Sequence, residues 1–298
     1  MRYGVCILPE YSWSQAEPIW RRAEELGFDH AWTYDHLVWA GLPDAPWHST
    51  VATLTAAAMV TERIRLGTFV ASPNFRHPVT FMRDTVTLDD ISAGRISLGL
   101  GAGGDRDAEI LGQHLSRGER TRRFAEFVEL LDLTLREDHV DHSGEFYAAE
   151  DARNNPGCVQ RPRVPFVIAA NGPKSMALAA RYGQGWLTTG PAGREIDPDD
   201  SDRGRHERWW SQIADISRRF DGIEAETDQP AGSAHQPLDR YLSLDACGVP
   251  ALTSADFFAE QVGRAADLGF TDVVTHWPRP DAPYRVDEAV LDQIDLPA

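Results

Sequence analysis

The sequence predicts an α/β protein folded as one (β/α)8 TIM barrel with insertions, spanning residues 1–298. Three observations carry that prediction. Short apolar runs alternate with amphipathic stretches in eight successive β-then-α units. No internal repeat and no break in composition marks a second domain. The length is close to the ~250 residues that such barrels commonly occupy as a single domain. An open, doubly wound sheet is the competing architecture, because it is built from the same alternation.

The units follow in order. Tyr3–Leu8 reads as a strand, and Gln15–Leu26 as a helix closed by Gly27. His30–Tyr34 is the second strand and Thr50–Val60 its helix. Ile64–Val70, rich in β-branched and large residues, is the third strand, followed by a helix over Val79–Ile91 that stops near Gly94. Arg95–Gly101 is the fourth strand. The helix Arg120–Leu135 then places Phe124, Phe127, Val128, Leu131 and Leu135 along one face. Val164–Ala169 and Gly185–Thr189 are strands flanking a helix from Lys174 to Tyr182. Polar loops are expected at Gly190–Gly204 and Glu224–Pro237, on either side of a helix around Arg208–Phe220. Leu238–Leu244, the helix Ala255–Leu268 and the strand Thr271–His276 complete the set, and Val286–Ile294 reads as a last, closing helix.

Composition narrows the partners. Hydrophobic residues at 42 % and charged residues at 25 % suit a soluble chain with a sizeable core. Against 46 acidic residues stand 29 basic ones, a net charge of −17 that repels nucleic acid and anionic membranes. Cys6, Cys158 and Cys247 are widely spaced and odd in number, which fits a reducing cytoplasm better than a disulfide framework. Neither a signal peptide nor a membrane span is expected from the apolar pattern.

In such barrels chemistry sits at the C-terminal ends of the strands. The second strand ends in Asp35-His36 with Trp39 close behind. A carboxylate beside an imidazole can position an acid or base near neutral pH, and a capping Asp with an incidental surface His reads equally well. The third strand runs into Ala71-Ser72-Pro73, where a cis peptide before Pro73 or an ordinary turn both fit. The fourth ends in Gly101-Ala102-Gly103-Gly104; glycines admit a flat ring against the backbone, and they also occur in plain loops. After the fifth come Asn171-Gly172-Pro173-Lys174-Ser175. This is a helix start with free N–H groups, and Lys174 is the chain's one lysine, so a phosphate suits it. His276-Trp277-Pro278-Arg279 closes the eighth strand and can line a pocket or simply pack. No metal site is expected. His139 and His142, with Asp138 and Asp141, read as a solvated acidic turn.

Taken in order, these fragments resemble the luciferase-like monooxygenase superfamily, within it the coenzyme F420-dependent oxidoreductases. The carrying segments are Glu24-Glu25-Leu26-Gly27-Phe28-Asp29, Asp35-His36, Arg63-Ile64-Arg65-Leu66-Gly67-Thr68 and Arg76-His77-Pro78. Leu88–Gly103, Asn155-Pro156, Gln160-Arg161-Pro162 and Ala179–Gly183 continue the series. The resemblance implies hydride transfer between coenzyme F420 and a small organic substrate, with His36 as acid/base and Asp35 as its orienter. It places Ala71, Ser72 and Pro73 behind the cofactor ring, Gly101, Ala102 and Gly103 along its border, and the phosphate on Asn171, Gly172, Pro173, Lys174 and Ser175. Trp39, His276 and Trp277 would line the substrate pocket, residues 190–237 its rim. A homodimer and a separate cofactor reductase are the partners it suggests. Two departures stand out: Gly103-Gly104 occupy a position where some members carry an acid, with Asp105 and Glu109 further on, and Gln184 replaces an acidic residue. An FMN-dependent monooxygenase, a non-catalytic flavin-binding barrel and, as an outsider, a metal-dependent hydrolase are the alternatives.

Overall fold

A computed structural model describes residues 1–191, 202–227 and 237–296. Its core is a closed barrel of eight parallel strands: β1 (Arg2–Cys6), β2 (His30–Thr33), β3 (Arg65–Ala71), β4 (Ile96–Leu100), β7 (Phe166–Ala169), β8 (Gly185–Thr188), β9 (Asp239–Ser243) and β10 (Asp272–His276). Neighbours in the barrel follow this order, and β10 closes on β1 with Arg2 opposite Asp272 and Cys6 opposite His276. The eight strands expected from the sequence are these eight. Helices α1 (Trp13–Glu25), α2 (Thr50–Val60), α3 (Pro78–Ile91), α5 (Arg117–Arg136), α6 (Pro173–Tyr182), α7 (Asp202–Glu226) and α8 (Ala255–Asp267) separate them. Ser116 opens α5 with a reciprocal capping box to Glu119, which satisfies donors that the first turn leaves without partners. None of the described helices is long and apolar enough to cross a membrane.

Strand alternation sorts the side chains into two apolar layers. Cys6, Trp32, Phe69, Val167, Leu187, Tyr241 and Val274 fill the barrel, while Val5, Ala31, Leu66, Leu98, Ile168 and Val273 face the helices. The barrel floor is polar and tied together. Trp32 Nε1 donates to His30 Nδ1 at 2.6 Å, His30 Nε2 lies 3.0 Å from Asp272, and Arg2 grips the same carboxylate with two N–H groups.

Three segments differ from expectation. The stretch after α5 is an antiparallel hairpin, β5 (Val140–Ser143) with β6 (Ala148–Ala152), rather than an acidic turn. Glu126 holds it by accepting the Phe146 and Tyr147 N–H groups, and His139 and Asp138 are occupied by Asp151 and Arg153. A short helix, α4 (Arg106–Ile110), follows the glycine run. The closing helix is reduced to one 3-10 turn, Glu288–Asp292. The loops expected at Gly190–Gly204 and Glu224–Pro237 lie largely outside the described residues.

The β3–β4 pair carries a register shift between Thr68 and Ala71, and the Phe69–Val70 peptide there is cis. The peptide before Pro73 is not among the cis bonds, so the irregularity falls three residues earlier than the Pro73 turn expected from sequence. Gly99 of β4 sits directly opposite: a Cβ on it would lie 2.0 Å from the Thr68 carbonyl oxygen. That atom is backbone and cannot swing away. Gly99→Ala is therefore expected to lower unfolding free energy by about 1–3 kcal/mol or more, read as a lower urea midpoint at unchanged slope.

Candidate active site

The mouth of the barrel, at the C-terminal strand ends, gathers an aromatic group above the interior layer. Tyr34, Trp39, Trp47, Val70, Ala169 and Tyr284 all pack onto it. Tyr34 stacks on Phe69 with centroids 6.1 Å apart and meets Trp39 edge-on at 5.1 Å.

His36 stands on this rim, its side chain 24 % exposed and its ring 6.0 Å from that of Tyr34. Its Nδ1 lies 2.6 Å from an oxygen of Asp107, whose side chain is 2 % exposed. The other Asp107 oxygen accepts the Leu37 N–H at 2.8 Å. Burial pushes the Asp107 carboxyl up. The hydrogen bond and charge of His36 and the Leu37 and Val38 N–H groups outweigh it and hold the group below the usual carboxylate range. A carboxylate can only accept, so His36 Nδ1 carries a proton and Nε2 is left as the reactive nitrogen.

Asp35 does not orient His36. Successive residues of an extended chain point to opposite faces, and Asp35 points outward into Arg76, which it binds through both oxygens at 2.5 and 2.6 Å. Both side chains are nearly covered, and the guanidinium lies over the Phe81 ring at 4.7 Å. The orienting carboxylate is Asp107, on α4 and 71 residues away. Asp105 instead pairs with Arg120, and Glu109 is exposed.

The same alternation divides the end of β10. His276 turns inward beneath the rim, whereas Trp277 faces the helical layer and belongs to the outer core, not to a pocket. His276 is covered by Tyr284, whose ring stacks on it at 3.6 Å. Arg279 is engaged by Glu10 through both its Nε and Nη2. Trp39 remains at the mouth, its ring parallel to that of Tyr284 at 6.2 Å.

At the end of β3, Ala71 and Ser72 are buried in the wall, and Val70 is the side chain that reaches the mouth. Gly101 lies against it: a Cβ there would come 2.5 Å from Val70 Cγ2, so this close approach of Val70 to the β4 backbone is possible only with glycine. Gly103, at φ +70°, closes on Ser72 and Asn74. At the start of α6, Gly172 is the N-cap without a side-chain cap and Pro173 occupies the first turn, leaving the N–H groups of that turn to an outside acceptor. Asn171 braces the loop, donating to the Gly190 carbonyl and accepting from the Thr188 hydroxyl. A cleft of about 290 Å³ opens there, between Gly172 and the cations Arg117 and Arg219. Lys174 is exposed and makes no ion pair among the described residues. Sequence reading missed Arg117, Arg219, Asp107 and Tyr284, because each reaches the mouth from a different element. Gln184 serves the wall, accepting from Arg163 and from the Phe166 N–H. No cluster of potential metal ligands occurs among the described residues.

Comparison with known proteins finds relatives in sequence and in fold. The chain is 29 % identical over 303 residues to the F420-dependent glucose-6-phosphate dehydrogenase of Beutenbergia cavernae, covering 87 % of this chain and 86 % of that one. Its fold superposes on an F420-dependent secondary alcohol dehydrogenase in complex with an F420–acetone adduct, with a TM-score of 0.75, 18 % identity and 92 % of each chain covered. It also superposes on the coenzyme F420-dependent tetrahydromethanopterin reductase of Methanopyrus kandleri, with a TM-score of 0.72, 18 % identity and coverage of 98 % and 96 %. The family model for luciferase-like monooxygenases matches residues 1–206, more than half of the sequence, and the chain belongs to that family.

Proposed function

We propose that this protein is a coenzyme F420-dependent oxidoreductase moving a hydride between the deazaflavin and a small organic substrate, with His36 handling the proton. The observation that carries the assignment is the His36–Asp107 pair: an imidazole at the barrel mouth, fixed in one tautomer by a buried carboxylate. The named relatives support the choice of cofactor.

The residues present fit the coenzyme. Val70, packed on Gly101, offers a backing for a tricyclic ring, with Ala71, Ser72 and Pro73 as the wall behind and Ala102 and Gly103 as the border. The first turn of α6, through the N–H groups of Lys174 and Ser175 with Gly172 and Asn171 shaping the loop, suits a phosphate, and Arg117 and Arg219 supply charge. Bound there, coenzyme F420 supplies a carbon that accepts or releases a hydride. The chain orients the reactants, keeps the aromatic mouth dry and takes or returns a proton at His36 Nε2. Cycling the coenzyme requires a second, separate oxidoreductase. Cys6 and Cys158 are buried thiols outside any disulfide, which supports a cytoplasmic setting, and a homodimer is the assembly to check by light scattering.

Titration of the purified chain with coenzyme F420 and with FMN, followed by cofactor fluorescence, tests the assignment. Saturable quenching of F420, followed by its reduction with isopropanol or glucose 6-phosphate, is the expected result. Saturation with FMN alone points instead to a flavin monooxygenase. Reversing Arg117 and Arg219 to glutamate should weaken F420 binding about 10–100-fold, because charge-assisted bonds to phosphate are lost. Unchanged affinity would move the phosphate away from this cleft.

A further inference from the structure

We propose that a second cleft, away from the barrel mouth, binds an organic acid, with the carboxylate on Arg123 and the apolar body between Phe75, Leu111, Leu115 and Phe146. The cleft measures about 510 Å³. Its walls come from the segment after β3, the loop leaving α4, Arg123 of α5 and the turn between β5 and β6. It shares no lining residue with the mouth cavity of about 430 Å³ or with the cleft at the start of α6. Only Pro73 belongs also to the wall placed behind the coenzyme ring.

Three arginines are more than nine-tenths buried among the described residues: Arg123, Arg163 and Arg279. Arg163 faces Asp132 at 2.6 Å and Arg279 faces Glu10 at 2.5 Å. Arg123 has no carboxylate partner among the described residues and is held by amides. Its Nη1 donates to Gln113 Oε1 at 2.7 Å, its Nη2 donates to Asn74 Oδ1 at 2.5 Å, and its Nε has no acceptor. Burial pushes the guanidinium below the ordinary arginine value, and the like charge of Arg120 adds to that. A covered cation without a counter-charge keeps its desolvation cost uncompensated, so an anion is the partner this position lacks.

The walls select which anion. No Asp or Glu lines the cleft, in a chain that carries 46 of them and a net charge of −17. Tyr147, 8 % exposed, has a phenolic oxygen without a partner. His77 Nδ1 accepts the Val79 N–H, which leaves Nε2 of that lining residue as a donor. Much of the remaining wall is apolar, and an inorganic ion would leave it uncovered. Gln113 is exposed and sits on the loop leaving α4, so its amide can swing into solvent and yield the Nη1 position. A carboxylate there makes a charge-assisted bond, roughly twice as strong as the neutral one it replaces. Gln113 is thus a neutral stand-in for the missing anion.

The test titrates 3-phenylpropanoate and its uncharged amide into the full-length, cofactor-free protein, with affinities read by ligand-observed NMR. The acid should bind about tenfold more tightly than the amide, the difference between a charge-assisted and a neutral hydrogen bond, and an equal concentration of inorganic phosphate should not displace it. Gln113→Ala removes the competing amide and should tighten acid binding. Gln113→Glu, a change at an exposed position, gives Arg123 a carboxylate of its own. Acid binding should then fall about tenfold or more, and the melting temperature should rise. Arg123→Gln should bring the acid down to the affinity of the amide; if that variant does not fold, Gln113→Glu decides. Equal affinities for acid and amide in the wild type, undiminished acid binding in Gln113→Glu, or displacement by phosphate would overturn the proposal. So would loss of acid binding on reversing Arg117 and Arg219, which would place the acid in the other basic cleft. None of these measurements uses the coenzyme, so failure here leaves the cofactor assignment standing, and failure of F420 binding leaves the acid site intact.

Discussion

His36→Ala should reduce turnover about 10²–10⁴-fold, the range a positioned proton donor or acceptor contributes, while coenzyme affinity stays within a factor of two or so. The separation follows from where the groups sit. The proposed cofactor contacts lie on β3, β4 and the start of α6, whereas His36 stands at the end of β2 and is anchored by α4. Its side chain is partly exposed, so the variant removes little core packing, but it strips the buried Asp107 carboxylate of its imidazole partner, and a loss of about 1–3 kcal/mol of unfolding free energy is expected beside the loss of turnover. Coenzyme reduction in the presence of substrate measures the first quantity, and fluorescence titration the second. Loss of binding together with turnover would make His36 a cofactor ligand instead. Acid sensitivity has a defined sign. The Asp107 pKa is depressed in the folded chain, so the stability its contacts contribute is complete above the unfolded carboxylate value of about 3.9 and disappears only as pH falls through the lower native value. A decline of activity nearer neutral pH would thus not arise from Asp107.

The barrel was legible because parallel strands buried on both faces read as continuous apolar runs, and Phe166–Ala169 or Val273–Val274 have no polar interruption to hide them. The β5–β6 hairpin was not, since Asp141, Ser143, Glu150 and Asp151 are exposed and leave no apolar alternation to follow. At the site, the locations at strand ends were legible and the partnerships were not. Asp35 and His36 are adjacent in sequence, yet that adjacency puts them on opposite faces, and the same rule separates His276 from Trp277. Strand alternation could have shown both divisions in advance. The identity of the true partners could not be read that way: Asp107 reaches His36, and Asp245 reaches His276, only once the barrel brings their segments together.

Asp35 and Asp107 can therefore be told apart by what breaks when each is changed. Asp35→Ala strips a guanidinium of its bidentate carboxylate where the Arg76 side chain is 12 % exposed and the Asp35 side chain 1 %. Removing one partner of a covered ion pair leaves the other charge uncompensated, and the expected loss is about 3–5 kcal/mol of unfolding free energy. Asp84, 3.8 Å from the same guanidinium but half exposed, relieves a part of this and draws the expectation toward the lower end. Urea unfolding should show the loss, while the fraction that remains folded keeps its turnover rate. Asp107→Asn should do the reverse. The amide fills the same space and its oxygen can keep the Leu37 N–H, but its NH2 then faces His36 Nδ1 in place of an acceptor, so the stability loss is about 1–2 kcal/mol, smaller than that expected for Asp35→Ala. The imidazolium formed when His36 takes a proton, however, loses the adjacent negative charge, and turnover should fall about 10–100-fold with coenzyme affinity preserved. If Asp35→Ala instead lowered turnover at wild-type stability, the bond from Arg76 would be incidental and Asp35 would belong to the proton path. If Asp107→Asn left the rate untouched, His36 would need no fixed tautomer, and its role as the proton-handling group would fall with it.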